Sequence, residues 1–336
     1  MRRLLFGLAL AALALPASVP ASAQGVDYAG TSAATFLKIP VGARGMALGG
    51  ADVGRAEDAT ALYWNPGTAA ELGQNTASFS YTPWLVGTAV TYAGVTVDAL
   101  GGTLGFDLHA FDSGDIEETT LAAQDGTGRY VSATDLAVGV AYARSLTDRF
   151  SVGAKVKAVN ETLAGASATG LGLDVGAVFR TNVLNDLRLA FVLANFGSRM
   201  RFAGRDLQIV VPVPDNPEGA SVPAEYRTGE WDLPMTFRIG ASTDVVRAAD
   251  VRLRASYTLT DARDVQPQHL LGGEAILVDL VAVRGGYAFR DDGNTFSLGG
   301  GVVLPALGRT QIRADYAFAR QPYGGDAHQI TVSATF

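Results

Sequence analysis

The chain has 336 residues, of which 48% are hydrophobic, 18% charged and 40 are Gly, with no Cys and a formal net charge of -7. An ordinary soluble domain is about a quarter charged, so this composition is too apolar for one, and its strand-forming residues exclude a disordered chain. Without thiols there is no disulfide framework or thiolate metal site, three His offer little to a metal, and with Lys38, Lys155 and Lys157 as its only lysines and no basic cluster it is not built for nucleic acid.

Arg2 and Arg3 precede an apolar run over 4–15, then Pro16 and Ala21-Ser22-Ala23. This is the pattern of a Sec-type secretory signal, residues 1–23, cleaved after Ala23. The run is about 12 residues, short of the ~20 that a spanning helix needs. No later stretch approaches a spanning helix, yet the chain is exported and apolar; a membrane β-barrel reconciles the two.

Residues 24–73 do not alternate and carry Gly42, Gly45, Gly49, Gly50 and Gly54. Ala59, Leu62 and Tyr63 lie at helical spacing from a start near Glu57, and Pro66 should end such a helix. A segment between an export signal and the first strand is expected to fold into the barrel as a plug. Tyr63 and Trp64 should anchor its compact Asn65-Pro66-Gly67 turn, in which Asn bonds its own backbone, Pro fixes φ and Gly permits positive φ.

From residue 75 to 336 the period is two, in segments of the length that a tilted membrane strand requires. The alternation predicts strands at 75–82, 86–98, 102–111, 131–145, 149–163, 169–181, 186–196, 234–244, 250–260, 269–278, 280–290, 294–304, 309–320 and 327–336. The expected fold is all-β, an antiparallel transmembrane barrel of about fourteen strands, even-numbered as bacterial barrels are, with an N-terminal plug. Val152, Ala154 and Val156 share one face of their segment, with Ser151, Gly153, Lys155 and Lys157 on the other. Leu171, Leu173 and Val175 oppose Gly172, Asp174 and Gly176, and Ile312, Ala314 and Tyr316 oppose Arg313 and Asp315.

Connections after even-numbered segments are tight, including 98–101, 146–148, 182–185, 245–249, Asp279 and 305–308. The two long ones, 112–130 and 197–233, follow odd-numbered segments and therefore share the outer side. The second contains Pro212, Pro214, Pro217 and Pro223 and is acidic around Asp215, Glu218 and Glu225, a composition that suits recognition as well as mobility. The final segment alternates through His328, Ile330, Val332 and Ala334 and stops on Phe336.

The polar face of this alternation places Lys155, Lys157, Arg180, Arg238, Arg252, Arg254, Arg284 and Arg313 in the lumen with Asp107, Asp174, Glu274 and Asp315. Basic groups are in excess, and pairing among themselves and with the plug is expected, because unpaired buried charge is costly. His109 shares a face with Asp107, but no Ser is specified beside them, so catalysis is not expected. The glycines over 170–176 lack dinucleotide-loop spacing, and Asp291-Asp292-Gly293-Asn294 reads as a hairpin turn, lacking the acidic spacing of a calcium loop. Neither a metal nor another cofactor is expected.

Phe36-Leu37-Lys38-Ile39, Gly42-Ala43-Arg44, Met46-Ala47-Leu48-Gly49-Gly50-Ala51 and Asp58-Ala59-Thr60-Ala61-Leu62-Tyr63-Trp64-Asn65-Pro66 follow one another in an order that resembles the opening of PorV/PorQ-type outer-membrane proteins. That family is related to the FadL fatty-acid transporters, whose hatch carries Asn-Pro-Ala inside a fourteen-strand barrel; here Gly67 stands in place of the Ala. The resemblance implies the outer membrane of a Gram-negative bacterium, contact with its lipid, and a non-catalytic accessory role in type IX secretion and surface attachment. Secreted cargo or other secretion components would be its partners. The FadL relationship implies the alternative, passive transport of a hydrophobic small molecule.

Overall fold

The computed structural model describes residues 30–55, 57–212, 221–290, 293–304, 310–322 and 324–336. The signal segment, the turn over 305–308, Asp291, Asp292 and the centre of the 197–233 loop lie outside the described residues.

Among the described residues the alternating segments form fourteen long antiparallel strands. They are β1 (Thr76–Pro83), β2 (Ala89–Ala99), β3 (Gly102–Asp112), β4 (Ala133–Thr147), β5 (Phe150–Leu163), β6 (Ala166–Arg180) and β7 (Arg188–Gly197). The series continues with β8 (Thr236–Arg247), β9 (Val251–Ala262), β10 (Val265–Leu277), β11 (Val281–Phe289), β12 (Thr295–Leu304), β13 (Gln311–Arg320) and β14 (Asp326–Thr335). Each strand pairs with its neighbour in the chain, and β14 returns onto β1 from Thr76↔Thr335 to Tyr81↔Ile330. Among the described residues, closure leaves the barrel sheet without an unpaired edge, which is the condition for crossing lipid with strands.

The period of two sorts the side chains. In β1, Ser78 and Ser80 are buried while Phe79 is 52% exposed; in β5, Lys155 and Lys157 are buried while Val156 is 58% exposed. An apolar exposed wall around a polar buried interior inverts a soluble protein and matches a lipid-facing barrel. At one end the strands are joined by short turns such as Leu100-Gly101, whose φ values of 56° and 71° make a two-residue hairpin turn. The loops after β3 and β7 leave the other end. The second contains a small hairpin, Gln208–Pro212 paired with Ser221–Glu225, and a clasp of Arg199–Met200 against Trp231–Asp232. One irregularity interrupts the wall: the β6–β7 register shifts between Leu173 and Val175, where Asn195 takes φ 60° and donates its N–H to Asp174 at 2.7 Å.

Residues 30–55 and 57–75 thread the lumen from the long-loop end to the short-turn end. Ala33 N–H donates to the Asp232 carbonyl at 2.9 Å, and Phe36 and Leu37 pack with Met200 and Leu233. Helix α1 (Ala43–Ala47) lies against β12–β14, clustered with Ala317, Ala319 and Ala327. Helix α2 (Ala61–Trp64) and a 3-10 turn (Pro66–Glu71) rest on β3–β6 and lead into β1. The helix expected from Glu57 is cut to one turn because Asp58 accepts from the Thr60 N–H (2.9 Å) and hydroxyl (2.5 Å), closing a separate local turn first. Pro66 begins a second helical turn as well as ending the first, its missing N–H costing nothing at that position.

Candidate functional site

The lumen-filling residues 30–55 and 57–75, termed the hatch from here on, seat on glycines. Half of the strands present an inward Gly where a hatch atom touches the wall: Gly105 under Leu62, Gly153 under Pro66, Gly176 under Asn65, Gly240 under Val53, Gly272 under Leu48, Gly286 under Gly49 and Gly299 under Ala47. A Cβ on Gly153 would lie 2.5 Å from the Pro66 carbonyl oxygen, and one on Gly272 2.9 Å from that of Leu48. Sequence reading missed this row, although Gly inside an otherwise alternating strand is itself a signal of close backbone approach.

Asn65 is fully buried and saturates its amide: Nδ2 donates to the Val53 carbonyl (2.9 Å) and to that of Ala177 in β6 (3.2 Å), while Oδ1 accepts from Gly67 N–H (2.9 Å). Pro66 and Gly67 pass over Gly153 and Gly176. Trp64 Nε1 donates to the Val41 carbonyl at 2.8 Å, and its ring lies under Gly45 and against Val53, Ala190 and Val192. Tyr63 meets Trp64 edge-on at 5.0 Å. The five residues Tyr63, Trp64, Asn65, Pro66 and Gly67 thus join the two halves of the hatch to each other and to the wall.

Two charge clusters fill the lumen. In the first, Glu274 accepts from Arg284 (2.7 Å), Arg254 (3.0 Å) and Arg44 (3.3 Å), and Arg284 reaches Asp315 at 2.6 Å. Arg313 donates to Glu57 (2.6 Å) and Asp58 (2.8 Å) and stands as an ion pair 2.9 Å from Asp315; Arg44 also bonds Asp52, and Arg254 bonds Glu57. The basic excess expected on the wall is therefore answered here by hatch acids, which the strand alternation alone does not show. Arg252 has the inward parity but sits at the short-turn rim, paired with Asp279 at 3.1 Å. In the β6–β7 turn, outside the membrane-spanning strands, Asp186 meets Arg55 (3.0 Å), Arg180 (3.2 Å) and Arg188 (3.2 Å). Burial pushes its carboxyl up, but the three guanidiniums outweigh burial and hold it below the usual carboxylate range. The clamp it forms on the hatch therefore persists at neutral pH and is lost only as pH falls through that depressed value.

The second cluster joins Lys155 to Asp107 (3.0 Å) and Asp174 (3.3 Å), and Lys157 to Asp174 (2.7 Å) and Asn195. Beside it stands Arg238, 7% exposed, with no carboxylate within salt-bridge distance among the described residues. Its guanidinium lies 5.5 Å from the Tyr63 ring and 5.6 Å from that of Trp64. Such contacts contribute about 0.5–2 kcal/mol, less than the several kcal/mol that burying the charge costs. Arg238 Nη1, His109 Nε2 and Asp107 Oδ1 all lack a protein partner and line one cavity of about 20 Å³, the size and polarity that suit a buried water. His109 is otherwise enclosed by the rings of Phe36, Tyr63 and Tyr92. Arg238 also lines a second cavity of about 100 Å³, floored by Gly49, Gly50 and Trp64 and edged by Thr260, Gln268 and Thr295 at the long-loop ends of their strands.

A family model described as "Type IX secretion system protein PorV" matches residues 22–261, well over half of the chain and inclusive of the described hatch and both long loops. Among solved structures, the toluene transporter TbuX of Ralstonia pickettii aligns with a TM-score of 0.55 at 12% identity, over 88% of this chain and 97% of its own. The toluene transporter TodX of Pseudomonas putida gives 0.55 at 12% over 88% and 97%. A FadL homologue of Pseudomonas aeruginosa gives 0.53 at 14% over 89% and 98%. At these identities the likeness is one of fold. No curated protein sequence matches the chain.

Proposed function

As the chain belongs to the PorV family of type IX secretion system proteins and is an outer-membrane barrel of a Gram-negative bacterium, we propose that it works as a non-catalytic accessory that engages secreted cargo or other secretion components at the outer face. The family match carries this reading. Two physical features support it. The hatch is tied into the lumen by buried ion pairs and glycine seats, an arrangement suited to a sealed scaffold more than to an open channel. The β7–β8 loop projects a hairpin with Val210 and Tyr226 well exposed, while its base grips the hatch through Asp232.

A second reading, passage of a hydrophobic small molecule, draws on one feature besides fold likeness: a groove of about 390 Å³ on the outer wall, lined by Leu136, Val138, Ala158 and Leu171 beside the β6–β7 irregularity. The two readings part on the loop. Deleting 206–224 removes the hairpin and spares the Asp232 and Leu233 contacts, so the barrel should fold as before. Recovery of a secreted protein bearing a type IX sorting domain, pulled down with the barrel, should fall at least about tenfold, a loss of ~1.4 kcal/mol or more. Undiminished capture, or tight binding of long-chain fatty acid with no cargo recovered, favours the transporter reading.

A further inference from the structure

We propose that Gln208–Pro212, the first strand of the hairpin in the β7–β8 loop, is an open sheet edge to which an extended strand of secreted cargo adds; the assignment rests on the secretion reading above. Register decides which edge is open. Tyr226 N–H donates to the Leu207 carbonyl at 2.8 Å, and bonded pairs alternate with unbonded ones along an antiparallel ladder, so Ile209↔Ala224 and Val211↔Val222 are the pairs that bond each other. Gln208↔Glu225, Val210↔Pro223 and Pro212↔Ser221 turn their main-chain groups outward. On the second strand, Ser221–Glu225, Pro223 has no N–H at the centre of its outward row and closes that edge. On the first, Gln208 and Val210 each present an N–H and a carbonyl, and Pro212 interrupts the row only at its end. Among the described residues this two-stranded sheet pairs with no other strand.

Spacing and surface select the ligand. Donor and acceptor sets recur every second residue, roughly 7 Å apart, which fits the main chain of another extended strand and no acyl chain. Val210 is 71% exposed on one face of the ribbon, Val211 and Val222 are exposed on the other, and the loop has left the barrel, so no lipid covers them. A two-stranded ribbon is marginal alone and gains from a third strand, while the edge closed by Pro223 stops growth at one. A chain arriving from across the membrane still has unpaired strands. Main-chain bonds hold such strands whatever their side chains, so one edge serves cargo of unrelated sequence.

The test uses the full chain in detergent, with a purified secreted protein bearing a type IX sorting domain as probe. Val210→Pro closes the first edge as Pro223 closes the second: the N–H it removes points away from the hairpin, so the hairpin's own ladder is untouched. It should weaken capture at least about tenfold, and Val210→Thr, which keeps the N–H and the β-branch, should change it less than about threefold. Slow hydrogen exchange at the Ile209, Val211 and Val222 amides of the free variant certifies that the hairpin is intact. In the wild-type complex the Gln208 and Val210 amides should slow as well. The assignment is overturned by undiminished capture in Val210→Pro, by equal losses in Val210→Pro and Val210→Thr, or by unchanged exchange at both outward amides. A second copy on the edge, seen as a dimer that Val210→Pro dissolves while capture persists, overturns it too. Capture that is lost on deleting 206–224 yet kept by Val210→Pro discards the edge and leaves the secretion reading standing; capture kept in both discards the edge and the loop's role together.

Discussion

Replacing Gly176 by Val should unseat the hatch. The added Cβ would strike Asn65 Oδ1 and come within 3.1 Å of Gly67 N, both parts of a fully buried turn with no room to shift. Overpacking of this kind costs about 1–3 kcal/mol. Displacing Asn65 also breaks its bonds to Val53, Ala177 and Gly67, worth ~1 kcal/mol each, for a total near 4–6 kcal/mol. The barrel wall itself does not need the hatch for its ladder, so the variant should still assemble but pass ions in planar bilayers well above the wild-type level. Gly273→Val is the matched control, because Gly273 faces outward with nothing within 4 Å of its added Cβ, and its effect should stay within about 0.5 kcal/mol. Wild-type conductance in a folded Gly176→Val protein would mean that the hatch does not hold the lumen closed.

Glu274→Gln should be the most damaging charge substitution. The carboxylate is 4% exposed and accepts from Arg44, Arg254 and Arg284, so neutralising it leaves guanidiniums from the hatch and two strands facing each other without their common acceptor. Removing one partner of such a buried cluster costs about 3–5 kcal/mol. Arg252→Met, at the exposed rim beside Asp279, should cost no more than about 1 kcal/mol. The temperature at which the folded band disappears on a gel separates the two: a large drop for Glu274→Gln and almost none for Arg252→Met. Equal drops would show that the lumen ion pairs do not fasten the hatch.

The barrel was legible because lipid outside and polar contents inside force a strict period of two, and the period in β5, β6 and β13 survives every local irregularity. Loop parity placed the 112–130 and 197–233 connections on one side for the same reason: antiparallel strands alternate ends. What could not be read was contact between distant segments. Asp52, Glu57 and Asp58 sit in a non-alternating stretch with nothing to say which wall arginines they meet, and Arg238 looks like any other inward Arg until its neighbours are known. The Asn65-Pro66-Gly67 turn was readable as a turn from its residue types, but its seat on Gly153 and Gly176 depends on residues about a hundred positions away. Arg252 shows the limit of parity, which gives the face of a strand and not the height at which a side chain leaves the lumen.

Assignment to secretion is tested most directly by deleting the gene in its own bacterium and measuring where proteins with type IX sorting domains accumulate. Those proteins should disappear from the surface and medium and build up inside the outer membrane, with uptake of hydrophobic compounds unchanged. Normal surface delivery together with impaired uptake of a hydrophobic compound would contradict a secretion role and assign the barrel to transport.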